Sequence, residues 1–189
     1  MRGRPRDPEL DARIREHALD LLLDRGIEGT TMDAVAARAG AGKASVYRRW
    51  SSKEELVLDA LDHVVRAEVP IPDTGSLRAD LEVTWRELLR FVGSPRGRVL
   101  IRLLLASSGP SAATAQVHRN LWLRQQEIAA GSLERARRRG ELRADVTDET
   151  VIDQLMGPIL TRVVTGRPLP AAEDVPHLVD LALRGIGAP

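Results

Sequence analysis

Residues 39–50 read AGAGKASVYRRW, and the fold turns on how this stretch is read. The chain's one tyrosine, Tyr47, lies in it, as does Lys43; the other lysine, Lys53, follows just beyond its end. Between residues 34 and 53 there are five cations (Arg38, Lys43, Arg48, Arg49 and Lys53) and no acid. Between residues 7 and 33 there are eight acids and three arginines. The formal net charge is only +1, so this positive charge is local, and its concentration on one short element suggests a polyanionic partner.

The residue order within the stretch predicts a two-sided helix over 43–50. Val46 and Trp50 are four apart and share a face that can pack on a scaffold. Lys43, Ala44, Ser45, Tyr47, Arg48 and Arg49 fill the rest. Gly40 suits a sharp turn because it tolerates φ > 0. A preceding helix over about 31–39, with Met32, Val35, Ala36 and Ala39 inward, completes a helix-turn-helix at 31–50. The small side chains of Ala44 and Ser45 let the second helix approach base edges. The Tyr47 phenol can donate to a phosphate, and Arg48 and Arg49 can pair with phosphates or with guanine. Lys53, at the start of the next helix, can reach a phosphate as well.

Working outward, strand signals are nearly absent, and the expected class is all-α with about nine helices. The first spans about 8–25, with Ile14, Ala18, Leu21 and Leu22 at helical spacing and Gly26 as a left-handed cap. Thr30-x-x-Asp33 resembles a capping box for the second, and Ser52-x-x-Glu55 opens a fourth helix that runs to about 67. EVPIPDTG at 68–75 is the clearest linker. Five further helices are expected over 76–92, 95–107, 112–139, 147–164 and 175–183. The chain therefore divides into a basic arm (1–7), a DNA-binding domain (8–67) and a C-terminal helical bundle (68–189).

Bulk properties narrow the function. With 189 residues and 43% apolar content the chain can bury a substantial core. Zero cysteines exclude disulfides, thiol nucleophiles and cysteine-ligated metal, and fit a cytoplasmic location. No secretory signal and no membrane span are read from the sequence. His17, His63, His118 and His177 are scattered, without metal-ligand spacing, and no hydrolase, phosphate-loop or zinc-protease motif occurs. Neither an enzyme nor a cofactor is expected. The RARRRG run ending at Gly140 reads as solvated cations at a helix C-terminus.

The segment TTMDAVAARAGAGKASVYRRWSSKEEL resembles the N-terminal domain of TetR/AcrR-type transcriptional regulators. Gly26, Thr31, Ala36, Ala39, Gly40, Lys43, Tyr47, Trp50, Lys53 and Leu56 fall on family positions. The resemblance gives Thr31, Lys43, Ser45, Tyr47, Arg49 and Lys53 the family's DNA-contact roles. Gly42 stands where a serine cap is common, Ala44 replaces a common glycine, and Arg49 a common histidine. Upstream, Arg2-Gly3-Arg4-Pro5-Arg6 is similar to minor-groove arms, in which Arg4 would enter a narrow A·T-rich groove.

The C-terminal half resembles the family's ligand-binding and dimerisation domain more loosely. That resemblance implies a homodimer through the last two helices, with Ile152, Leu160, Val163, Val175, Leu178, Val179 and Ala182 at the interface. Gly157-Pro158 is expected to kink the eighth helix or allow close approach. The resemblance also implies a pocket among the fifth to eighth helices. Its candidate lining is Trp85, Leu89, Leu103, Trp122, Gln126, Leu155, Met156 and Ile159, which suits an apolar or aromatic small molecule. The expected function is a ligand-responsive regulator, a repressor, binding double-stranded DNA at a palindromic operator. The alternative is a small-molecule-binding or protein-interaction dimer with secondary or lost DNA binding.

Overall fold

A computed structural model of the chain describes residues 7–106 and 112–186. The described part is all-α: α1 (Pro8–Gly29), α2 (Met32–Arg38), α3 (Lys43–Tyr47), α4 (Lys53–Glu68), α5 (Leu77–Gly93), α6 (Pro95–Ala106), α7 (Ala112–Arg138), α8 (Asp148–Thr165) and α9 (Val175–Ile186). Arg4, with residues 1–6 of the basic arm, lies outside the described residues, and so does the side chain of Leu103.

The helices begin and end where short-range chemistry dictates. The Asp7 carboxylate accepts from the N–H groups of Glu9 and Leu10 at 3.1 and 3.2 Å, and Pro8 takes the first helical position. Gly26 adopts φ 70° and interrupts α1, which folds the buried Ile27 back onto the helix. The second helix is capped differently from the expected Thr30 box. Thr31 is the cap, its Oγ accepting from Ala34 N–H at 3.2 Å. Thr30 is fully buried, and its hydroxyl donates to the Gly26 carbonyl at 2.8 Å, satisfying an acceptor left by the break in α1. At α4, Ser52 Oγ accepts from Glu55 N–H as expected, but the Glu55 carboxylate reaches back to Ser51 rather than Ser52.

The described chain forms two compact units. One takes the chain up to Val64 together with the start of α7, up to Leu121. Its core joins Ile14, Ala18 and Leu21 of α1, Met32, Val35 and Ala36 of α2, Val46 and Trp50, and Leu56 and Ala60 of α4. The other holds Val65–Ala106 and the chain from Trp122 onward. There α5 packs on α6 and α9, and α8 on α6 and α9. Trp85, Phe91, Val92, Val151, Ile159, Val175 and Val179 are all buried in this unit. The helix α8 continues through Pro158, and a Cβ placed on Gly157 would meet no atom within 4 Å, so no close approach within the protomer demands that glycine.

The RARRRG cations are less solvated than expected. Arg135 pairs with Asp73 of the linker at 3.0 Å, Arg137 with Asp148 at 2.5 Å, and Arg139 with Glu141 at 2.9 Å. They bind the α4–α5 connection and the α7–α8 turn to the end of α7, which local spacing does not reveal.

Candidate nucleic-acid interface

The α2–α3 turn is a Schellman cap. Ala41 N–H donates to the Ala36 carbonyl at 2.9 Å, Gly40 N–H donates to Ala37 at 3.3 Å, and Gly40 sits at φ 60°. Gly42 then starts α3 without a side-chain cap, its carbonyl accepting from Ser45 N–H at 2.8 Å. The regular helix ends at Tyr47, before the expected Trp50. The N–H groups of both Arg49 and Trp50 turn to the Val46 carbonyl.

Trp50 still reaches the face of Val46, four residues before it. Trp50 is buried, and its indole N–H donates to Asp59 Oδ2 of α4 at 2.9 Å. The Arg15 guanidinium of α1 donates to the same oxygen at 2.7 Å and lies 5.9 Å from the Trp50 ring centroid. One carboxylate thus ties α1 and α4 to Trp50, just past the end of α3, and the cation–π contact adds to it.

The opposite face is open. Tyr47 is 52% exposed, and Lys43, Ala44 and Arg48 are exposed beside it, while Val46 has no exposed surface. Thr31 is exposed at the start of α2 and Ser45 is half-buried. The expected division into a packing stripe and a free face is therefore present for these residues.

Tertiary structure changes the meaning of the charge asymmetry. Arg38 pairs with Asp24 at 3.2 Å, Lys43 with Asp33 at 2.5 Å, and Arg49 with Asp11. Lys53 donates to the Ile27 carbonyl at 3.3 Å and lies 3.5 Å from Glu28. Each acidic partner comes from the 7–33 stretch, so the acid-rich helices neutralise much of the basic element. Among the described residues, Arg48 alone of the five cations is without an ion-pair partner. The hydrogen bond and charge of Asp33 hold the Lys43 ammonium above its ordinary pKa, so it stays cationic.

Arg49 is the candidate placed least as expected. Its side chain is only 13% exposed, and its guanidinium is engaged by Asp11 and by the Ser45 carbonyl and hydroxyl. Asp11 and Asp59 escaped the sequence reading because their partners lie 38 and 44 residues away. Asp33 was visible only as a supposed cap.

Residues 14–60 match the model of bacterial regulatory proteins of the tetR family, and residues 71–182 match a tetracyclin repressor-like C-terminal domain. The chain belongs to the TetR family.

Among its relatives is the HTH-type transcriptional regulator YdeS of Bacillus subtilis, 34% identical over 99% of this chain and 94% of YdeS. The DNA-binding transcriptional repressor TetR of Mycobacteroides abscessus is also 34% identical, over 86% of each chain. The crystal structure of the TetR family regulator SCO0332 superposes with a TM-score of 0.74 at 32% identity, covering 94% of this chain and 98% of that one. The protein is accordingly a DNA-binding transcriptional regulator, and its family is not one of enzymes. Among the described residues no helix is long and apolar enough to cross a membrane.

In the C-terminal unit of this TetR-family chain, Trp85, Leu89, Leu155 and Ile159 are buried, and Trp122, Gln126 and Met156 are partly exposed. Elsewhere in this unit, an open pocket of about 420 Å³ is lined by Val92, Gly93, Arg98, Arg162, Val163, Gly166, Arg167, Pro168 and Leu169. Its arginines give it a more polar wall than the expected lining. The dimer candidates divide by face. Ile152, Val175, Val179 and Ala182 are buried within the protomer, and Leu160, Val163 and Leu178 are partly exposed. Beside these, Val164 of α8 and Leu181 of α9 are 65% and 51% exposed.

Proposed function

We propose that this TetR-family regulator acts as a repressor. It binds a palindromic operator as a homodimer and leaves it when a small apolar or aromatic molecule occupies the C-terminal unit. The observation that carries the DNA contacts is the exposed α3 face, with Lys43, Ala44, Tyr47 and Arg48 outward over a buried Val46. Ser45 approaches base edges; Thr31, Tyr47, Lys43, Arg48 and Lys53 take phosphates; and Arg4 reaches the adjacent minor groove. A repressor role is supported by the relative of that name in Mycobacteroides abscessus. Such a protein works on chromosomal DNA in the cytoplasm.

An isologous two-fold dimer sets two recognition elements roughly 34–36 Å apart, as a palindrome requires. The outward Leu160, Val163, Val164, Leu178 and Leu181 support α8 and α9 as the shared surface. A ligand acts by shifting that separation through α4, which follows α3 after only a short turn. The coupling is reciprocal, so DNA weakens ligand binding by the same factor.

The test is fluorescence anisotropy of the full chain on duplex DNA from upstream of its own gene. Lys43→Ala and Tyr47→Ala should weaken binding, and Lys43→Ala should lower the salt slope by about one. Unchanged affinity and slope in both variants would refute the contact assignment. Titrating bound DNA with small aromatic molecules tests release; a molecule that binds the protein without altering DNA affinity would refute induction.

A further inference from the structure

Arg49 and Asp11 form a side-chain relay that ends on Ser45. Because the N–H of Arg49 turns to Val46, no backbone donor reaches the Ser45 carbonyl from the next turn. The Arg49 Nη1 supplies that donor at 3.0 Å and gives a second hydrogen bond, at 2.5 Å, to Ser45 Oγ. Its Nε donates to Asp11, whose side chain is only 6% exposed. The guanidinium therefore caps the short recognition helix with its own side chain, and a carboxylate on α1 holds it there.

This arrangement fixes the role of the serine. A guanidinium can only donate, so Ser45 Oγ must accept from it. The hydroxyl proton is then directed away from Arg49, at a half-buried position on the element that faces DNA. A hydroxyl is ordinarily ambivalent, able to donate or accept at a base edge. Here one of its two lone pairs is taken by Arg49, and the adjacent positive charge polarises the O–H bond, which biases the hydroxyl toward donating.

We propose that Arg49, held by Asp11, is a positioning residue that makes Ser45 a hydrogen-bond donor toward the major groove. This inference rests on the DNA-binding reading above. A hydroxyl biased toward donating favours the purine N7, guanine O6 and thymine O4 acceptors over the amino group of cytosine. Arg49 contributes to sequence choice without touching DNA, in contrast to the phosphate or guanine contact expected from its sequence position.

The experiment is selection by the full chain from a pool of duplexes with a randomised centre, followed by sequencing and by salt titration on the enriched site. Ser45→Ala, at a half-buried position on α3, should lose about fivefold preference at one base pair per half-site. Arg49→Lys keeps the charge but loses the rigid fork that bonds Asp11 through Nε and Ser45 through Nη1. It should lose preference at that same base pair with the salt slope unchanged, and Asp11→Asn should do so more weakly. Ser45→Thr, which keeps the hydroxyl, should retain the preference. Thermal unfolding by circular dichroism accompanies each variant, and Ser45→Ala carries the test if Arg49→Lys fails to fold. A uniform loss of affinity in Ser45→Ala would overturn the proposal. So would full base preference in Arg49→Lys, or a slope reduced by about one in Arg49→Gln with preference intact. If the unaltered protein enriches no sequence, the operator-binding reading falls along with this one; enrichment with indifferent variants overturns the relay alone.

Discussion

Lys43 shares its charge with Asp33 at 2.5 Å, and any phosphate it meets competes with that carboxylate. The aspartate weakens the local positive potential without abolishing it. Asp33→Asn should therefore tighten binding to DNA of any sequence by a few-fold at low salt, an effect that fades as salt is raised. Anisotropy on two unrelated duplexes checks this; a gain confined to one of them would contradict a purely electrostatic origin. Arg48 has no such competitor among the described residues, so Arg48→Ala should lower affinity and remove about one counterion from the salt slope. A titration series from low to moderate salt reads both effects. These pairings could not be found along the chain, since each joins residues on different elements at least 10 positions apart.

Local elements were more legible. Ser52, Ser76 and Thr147 begin helices where the sequence places them, and Gly40 and Gly140 take positive φ just beyond helix ends. Caps act over two to four residues, so a linear reading finds them. Gly40→Ala forces a side chain into the left-handed region and should cost about 1–2 kcal/mol, seen as a lower urea midpoint. Where tertiary contacts compete, the local reading gave way: Thr30 is buried with its hydroxyl on the Gly26 carbonyl rather than capping α2. Trp50→Ala should destabilise the N-terminal unit by about 3–5 kcal/mol, measured by urea unfolding.

Glu141 shows the same principle at the start of α5. Its carboxylate accepts from Leu77 N–H at 2.9 Å and from the Arg139 guanidinium. The Arg139 hydrogen bond, followed by that of Leu77, overcomes desolvation and holds its pKa below the usual glutamate value. A depressed folded pKa contributes stability above the unfolded value, which is lost as pH falls through the folded one. The window thus lies below roughly pH 4.3. Glu141→Gln should unfold with a shallower dependence on acid in that window and differ little in slope near neutrality, as thermal melts across pH would show.

At the scale of the whole molecule, the apolar face of α8 and α9 has two uses. Val175, Val179 and Ala182 close the protomer core, whereas Val164 and Leu181 remain outward. Leu181→Asp should shift the protein toward monomer in sedimentation velocity and weaken operator binding while leaving the helical signal intact. Val179→Asp should instead unfold the C-terminal unit, because it buries an unpaired charge. Sequence periodicity marks both residues as apolar and cannot say which surface each meets.

The sequence by itself determined the all-α class, the two short helices about the Gly40 turn, many helix ends and the family. All of these follow from interactions within a few residues or from side-chain order along one helix. Only the tertiary structure decided which cations face outward, that Arg49 turns to Asp11, and which apolar residues close the core. Those outcomes depend on helices distant in sequence becoming neighbours, where a buried carboxylate or a packed ring outweighs any preference that the local chain can express.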